Sequence, residues 1–386
     1  MLESLLVYSI LFIIMCMCGV ISARKEKKYV GRSGVFVEEK RFFTPEVIII
    51  VLSFSIVFGF RWGVGVDYFR YLYAYTEVIP ERFEFLFQLV SSILKRLGAH
   101  YSIYFGIWAF LDIVLLYYAL HKYRFIYPYI AFFLIFGSYY LPMMNGIRQH
   151  IATMIFLTSI RYVDQKQIVK FYLCLTVAFL FHKLSAILFL IYPLLRLKDD
   201  WFNSIVLQIV LYILALYLSV NGELVLQWIE TPFDWLTEVL GYDRYDYDFL
   251  DEERFDRSRF GNNTGFGLIV SVIRTLPVIL FSKNLKEYYN SSHFNMLYSL
   301  YFLGVVSSLL FGNSIVLNRI AYFFSIYQLI IHCFFVYYCF DEKSYTKLIL
   351  GIMMMMIHIP LFLNIISNSS STAQYLFFWQ QSSSLL

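Results

Sequence analysis

SLLVYSILFIIMCMCGVISARKEKK, residues 4–28, is an apolar run that ends in a basic cluster, Arg24-Lys25-Glu26-Lys27-Lys28. Its apolar part, 4–21, is close to the roughly 20 residues that a helix needs to cross a bilayer. Glu3 stands before the run and the cations stand after it. That order is the reverse of a signal peptide, so the run reads as an uncleaved helix with its N-terminus outside.

Working outward, the same pattern of apolar runs and short basic loops recurs along the chain. Of 386 residues 60% are hydrophobic and 15% charged, against about 25% charged in soluble domains, so the class is a membrane protein. Aromatics reach 20%, with 33 tyrosines, a residue suited to interfaces and wet cavities. The net charge of +4 is scattered over short loops, which excludes a nucleic-acid groove as partner surface. All five cysteines (Cys16, Cys18, Cys174, Cys333, Cys339) lie in apolar runs and read as small buried residues without a disulfide framework.

The expected crossings are 4–21, 45–60, 101–120, 126–143, 146–162, two short helices within 168–195, then 202–220, 266–281, 294–311, 314–340 and 345–366. That is an all-α polytopic fold of about 12 transmembrane helices (about 10–14) in a single membrane domain, 1–386. The run 168–195 is interrupted by His182-Lys183, so two short helices meeting there fit better than one crossing. Residues 22–44 form a cytoplasmic basic segment. Residues 61–100 form the first extracytoplasmic segment, with an interfacial helix near 83–97. The long extracytoplasmic loop is 221–263, and the polar tail 367–386 ends outside. With this orientation the cytoplasmic loops carry most of the Lys and Arg. No internal repeat stands out.

Asn145-Gly146-Ile147-Arg148-Gln149-His150 breaks this apolar background. A charge at a helix centre costs about 2.5–3.5 kcal/mol on insertion scales, so Arg148 needs a cavity, a partner or a ligand. Three other polar features fall at the same external depth: Arg61 through Asp67 and Tyr68 to Arg70, Tyr71 and Tyr75; His182-Lys183; and Asn318-Arg319 with Tyr322. Arg274, inside the span after the acidic loop, is a fifth candidate. Several cations at one depth point to an anionic ligand. The competing readings are structural: Arg61 and Arg319 snorkelling to headgroups, Arg148 paired with the intramembrane Asp112, His182 and His150 as core histidines, and Asp67 capping or pairing with Arg61 or Arg70.

Taken in order, Arg61…Gly65-x-Asp67-Tyr68-x-x-Tyr71, Asn145-x-x-Arg148-Gln149-x-x-Ala152, Ala178-x-x-x-His182-Lys183-x-Ser185-Ala186 and Arg319-Ile320-x-Tyr322-Phe323 resemble the EpsG family. These are Wzy-like polymerases of bacterial exopolysaccharide, capsule and O-antigen synthesis. The last motif has one residue fewer between Ile320 and Tyr322 than the family pattern. The resemblance runs from about Phe54 to Tyr327.

The resemblance implies a multi-pass enzyme of the bacterial cytoplasmic membrane, active at the outer face and related to GT-C-type membrane glycosyltransferases. Such an enzyme moves a growing glycan from undecaprenyl diphosphate onto a lipid-linked repeat unit. A flippase and a chain-length regulator of the pathway are further expected partners. Arg148 and Arg319 are expected at the diphosphate, with Arg61, Lys183, Gln149 and Arg274 as further substrate contacts. His182 is preferred over Asp67 as general base, with Lys183 helping to keep it neutral. Tyr68, with Tyr71 and Trp62, is expected to stack on sugars. No carboxylate cluster suggests a divalent ion, so a metal-independent reaction without cofactor is expected. The alternatives are a transporter or flippase of lipid-linked sugars, for which internal repeats would be expected, and a membrane acyltransferase, for which the short cytoplasmic loops offer no pocket. A structural partner in a synthesis complex is a further alternative.

Overall fold

A computed structural model of the chain describes residues 1–27, 41–78, 83–197, 200–221, 265–312, 315–342, 344–368 and 372–380. Of the described residues 83% are helical, as the apolar runs dictate, since a helix satisfies every backbone group within one segment. Among the described residues, five helices are long and apolar enough to cross a membrane: Leu2–Lys25, Tyr101–Ala119, Ser292–Phe311, Leu317–Asp341 and Tyr345–Ser367. Counting the pair Gly267–Leu280 and Ser282–Tyr289, bent by 53°, makes up to six. Pro45–Gly59, Arg124–Phe136, Ile168–Phe181 and Ile205–Val220 are shorter apolar helices. The expected loop 221–263 lies outside the described residues from 222 onward, as does most of the basic segment 22–44.

The chain divides into two compact units. The first comprises Met1–Ser185 with Met355–Leu386. Its elements are α1 (Leu2–Lys27), α2 (Pro45–Gly59), β1 (Arg61–Trp62), α3 (Tyr68–Thr76), α4 (Phe85–Arg96), α5 (Tyr101–Ala119), α6 (Tyr127–Phe136), α7 (Tyr140–Asn145), α8 (Ile147–Asp164) and α9 (Ile168–Phe181), then β2 (Leu376–Phe377) from the tail. Helices α1, α2, α5, α6, α8 and α9 pack on one another in sequence-adjacent and crossed pairs. Small residues permit the closest crossing: a Cβ on Gly59 would sit 2.8 Å from Ser102 O and 3.0 Å from Gly106 Cα, so α2 and α5 meet backbone to backbone.

The two ends of this unit differ in charge. At one end Lys25 pairs with Glu46, Arg124 Nη2 donates to Arg41 O at 2.8 Å, and Arg161 lies 4.5 Å from the Tyr118 ring. At the other end the tail folds back on the chain. β2 pairs antiparallel with β1, Gly65 N–H donates to Thr372 O at 2.8 Å, and Tyr375 N–H donates to Ser4 Oγ at 2.9 Å. Tyr8 OH donates to Ala373 O at 2.9 Å and Tyr375 OH to Val57 O at 2.6 Å. The polar tail is thus a strap that ties the start of α1 to the end of α2.

One expected crossing is broken. Residues 126–143 form α6 and α7 rather than one helix, separated at Gly137–Tyr139 where Ser138 takes φ 57°. By contrast the run 168–195 breaks at His182, whose extended backbone (φ −158°, ψ 110°) ends α9 before a 3₁₀ stretch at Lys183–Leu190.

The second unit spans Ala186–Met354. It contains α10 (Ile191–Leu197), α11 (Ile205–Val220), α12 (Gly265–Leu280), α13 (Ser282–Tyr289), α14 (Ser292–Phe311), α15 (Ile315–Asp341) and most of α16 (Tyr345–Met356), while α17 (His358–Ser367) returns to the first unit. Buried Gln208 joins three of these segments: its Nε2 donates to Phe202 O at 2.7 Å and Ser282 Oγ at 3.2 Å, and its Oε1 accepts from Tyr298 OH at 2.7 Å. Every polar atom of that amide is met, which is what its burial requires.

Candidate active site

The polar residues after α2 turn inward. Arg61 is buried, with Nη1 on Phe58 O, Nε on Val64 O at 3.1 Å, and its guanidinium 4.5 Å from the Phe105 ring. It closes the last turn of α2 by bonding a carbonyl that the helix leaves open. Burial lowers the Arg61 guanidinium to about 10, against the neighbouring Tyr68 and Tyr375, so it stays charged at neutral pH. Two of its donor groups are therefore held by backbone rather than offered to a ligand. Tyr68, expected to stack on sugars, is fully buried with its ring stacked on Phe105 at 4.6 Å and edge-on to Trp62 at 5.7 Å. Its aromatic surface is used in packing. Asp67 is half-buried at the start of α3, its carbonyl accepting from Tyr71 N–H at 3.0 Å.

Two of the sequence motifs interlock. Gly65 takes φ 106°, and a Cβ there would sit 3.0 Å from both Asn145 Oδ1 and Met144 O. Only glycine allows that backbone and that approach together. The next residue, Val66, donates its N–H to Asn145 Oδ1. Asn145 thus fixes the turn after β1 against the α7–α8 junction. Gly146 then ends α7 and its carbonyl accepts from His150 N–H at 2.8 Å, starting α8.

In the first turn of α8 the Arg148 guanidinium pairs with Glu84 Oε2. It also stands 4.5 Å from the Phe83 ring and 5.9 Å from the Phe87 ring, both near the start of α4. The other oxygen of Glu84 lies 3.1 Å from His182 Nδ1 and 3.4 Å from Lys183 N. Residues 84, 148 and 182 are 6%, 8% and 4% exposed, so the cluster is dry. Coulomb attraction is strongest in such surroundings, and so is the cost of an unmatched charge. Burial pushes the Glu84 carboxyl up, but the hydrogen bond from His182 and the charge of Arg148 outweigh it and hold it at about 2. The carboxylate is ionised at any physiological pH.

The cluster brings together two of the expected site residues, Arg148 and His182, through a third that the sequence reading did not single out. Asp112, the partner that the competing structural reading gave Arg148, is taken instead by His150, whose Nδ1 lies 3.0 Å from Asp112 Oδ1 in the interior. Lys183 meets the cluster through its backbone N–H, with its residue exposed. The charge touching the imidazole is therefore the anion of Glu84, and not the repelling cation expected from Lys183. Gln149 follows Arg148 on α8 and is half-buried, its carbonyl accepting from Thr153 Oγ1 at 2.9 Å. Arg274 on α12 and Arg319 on α15 belong to the second unit and are half-buried there, Arg319 one turn before exposed Tyr322.

A dry site with a guanidinium and a carboxylate-bound imidazole suits proton transfer beside an anion. No curated protein and no solved structure matches the chain. A family model described as EpsG family matches residues 47–379, from α2 through the strap. That match covers all four motifs and most of the sequence, and the chain belongs to the EpsG family, the family of Wzy-like polysaccharide polymerases.

Proposed function

We propose that this protein extends a bacterial cell-surface polysaccharide by transferring a growing glycan from undecaprenyl diphosphate to a lipid-linked repeat unit at the outer face of the cytoplasmic membrane. The observation that carries this reading is the junction of Arg148 and His182 on one buried carboxylate. One residue suits a departing diphosphate and the other an acceptor hydroxyl. In the transfer, the acceptor oxygen bonds to the anomeric carbon of the donor sugar as the bond from that carbon to the diphosphate oxygen breaks. The electron pair leaves on the diphosphate, and Arg148 meets the charge that develops there. The hydroxyl proton passes to His182.

Arg319 and Arg274, on the second unit, are proposed for the diphosphate on their sequence setting, with Lys183 and Gln149 as neighbours of the primary pair. Positive charge comes from side chains in this scheme, so it needs no divalent ion. Asp67 is kept as the alternative base. Arg61 and Tyr68 act here by building the turn that carries Gly65 to Asn145.

The orientation follows from charge. Lys25, Arg41, Arg124 and Arg161 gather at the end of the first unit opposite the cluster, which fits a cytoplasmic face. Segments 61–100 and 221–263 are then extracytoplasmic, and about 12 crossings, some by helices shorter than a full span, complete the chain. Deleting the protein in its host tests the reading. Single lipid-linked repeat units are expected to accumulate at the outer face, read by extraction and surface labelling. Accumulation at the inner face would instead mark a flippase and end the polymerase reading.

A further inference from the structure

We propose that Glu84 is a positioning residue for this reaction: it holds His182 as the Nδ1–H tautomer, making Nε2 the basic atom, and is the counter-ion of Arg148. The inference rests on the polymerase reading for its chemical purpose, while the geometry belongs to the fold alone.

Glu84 immediately precedes α4, with extended backbone (φ −68°, ψ 152°) and its carbonyl accepting from Gln88 N–H at 3.0 Å. An acid at that place ordinarily turns its carboxylate onto the open N–H groups of the first turn, which also attract negative charge. Glu84 makes no such bond. Its oxygens are instead divided, Oε2 to Arg148 and Oε1 to His182 Nδ1 and Lys183 N–H. Burying a carboxylate this deeply is costly unless it is matched, and the side chains that match it are the two proposed for the chemistry.

An ionised carboxylate only accepts hydrogen bonds, so the imidazole nitrogen facing it carries the proton. In neutral imidazole the other nitrogen, Nε2, then holds the free electron pair that a base requires. The partner of one ring nitrogen sets the role of the other. The backbone that carries the ring is fixed as well, since His182 N–H donates to Ala178 O at 2.9 Å and His182 O accepts from Ser185 N–H at 3.0 Å. Because each Glu84 oxygen has its own partner, Arg148 can turn toward an arriving diphosphate while Oε1 keeps the imidazole in place. His150 is committed to Asp112, and Arg148 to Glu84.

The test uses the full-length protein in lipid nanodiscs with ¹⁵N-labelled histidine, the His182 signals being identified by their loss in His182→Ala. Wild type is expected to show His182 protonated at Nδ1 and bare at Nε2. Glu84→Gln should keep that form, since its amide oxygen still accepts, whereas Glu84→Ala should move it toward the Nε2–H tautomer. Glu84→Ala should also lower turnover by about 10²-fold, the lower range for a positioned base. In a His182→Ala background it should lower turnover no further, because a residue that acts through His182 has nothing left to position. A wild-type His182 bare at Nδ1 overturns the proposal. So does an equal loss from Glu84→Ala with and without His182, which marks support of the fold alone. The spectra need no substrate: the expected tautomer in a protein that makes no polymer refutes the transferase reading and leaves the Glu84 assignment standing.

Discussion

Replacing His182 by alanine is expected to lower polymer formation by about 10²- to 10⁴-fold, the range that a positioned general base supplies, with the protein still folded and inserted. The fold should tolerate the change because Glu84 keeps both Arg148 and the Lys183 N–H after the imidazole is gone. What is lost in stability is one hydrogen bond to a charged group, about 1.5–3 kcal/mol. Membrane level by immunoblot and polymer length by gel, in a deletion strain carrying the variant, separate the two effects. A wild-type ladder from His182→Ala passes the base role to Asp67, or to no side chain at all.

Arg148→Ala carries the second large effect and a different signature. It leaves the Glu84 carboxylate buried without its guanidinium, and breaking a buried pair from one side costs about 3–5 kcal/mol. Both stability and polymer should therefore fall. Pairing it with Glu84→Gln removes the stranded charge, so the double variant should recover most of the melting temperature in detergent. Polymer should stay absent, because the cation proposed for the diphosphate is still missing. Arg148→Lys is not a neutral exchange either, since a lysine keeps the charge but not the planar fork that meets carboxylate or phosphate with two hydrogen bonds. Polymer made by the double variant would remove Arg148 from the diphosphate role and leave it as a structural partner of Glu84.

The parts of this account that depend on local pattern were readable in the sequence. Arg148 stands out because a charge in an apolar run is costly, and His182-Lys183 because the run they interrupt is too long for one crossing and too short for two full ones. Glu84 carries no comparable mark. It sits in FEFLFQ, residues 83–88, as a lone acid among the aromatics of an expected interfacial helix, and its partner on α8 is 64 residues away. Pairing at that distance is set by packing, which periodicity does not encode, so Asp112 looked the nearer match for Arg148. Arg61 and Tyr68 show the same limit in reverse. Their residue types fit a sugar-phosphate ligand, but the turn after α2 points both side chains inward, onto Phe58 O and the Phe105 ring. The break at Ser138 is marked in the sequence only by the pair Gly137-Ser138 within an otherwise apolar run. Strands of two residues, as in the strap at 376–377, are too short to show any alternation.

The central claim is that this chain alone forms the glycosidic bond, with His182 and Arg148 at the reacting groups. The direct measurement is reconstitution of the purified protein in vesicles with an undecaprenyl-diphosphate-linked repeat unit as sole substrate. Product length and released undecaprenyl diphosphate are followed together. The account predicts a ladder of lengthening glycans, carrier released in step with each new linkage, and loss of both in His182→Ala and Arg148→Ala. Carrier released without lengthening glycan, or an undiminished ladder from both variants, would contradict it.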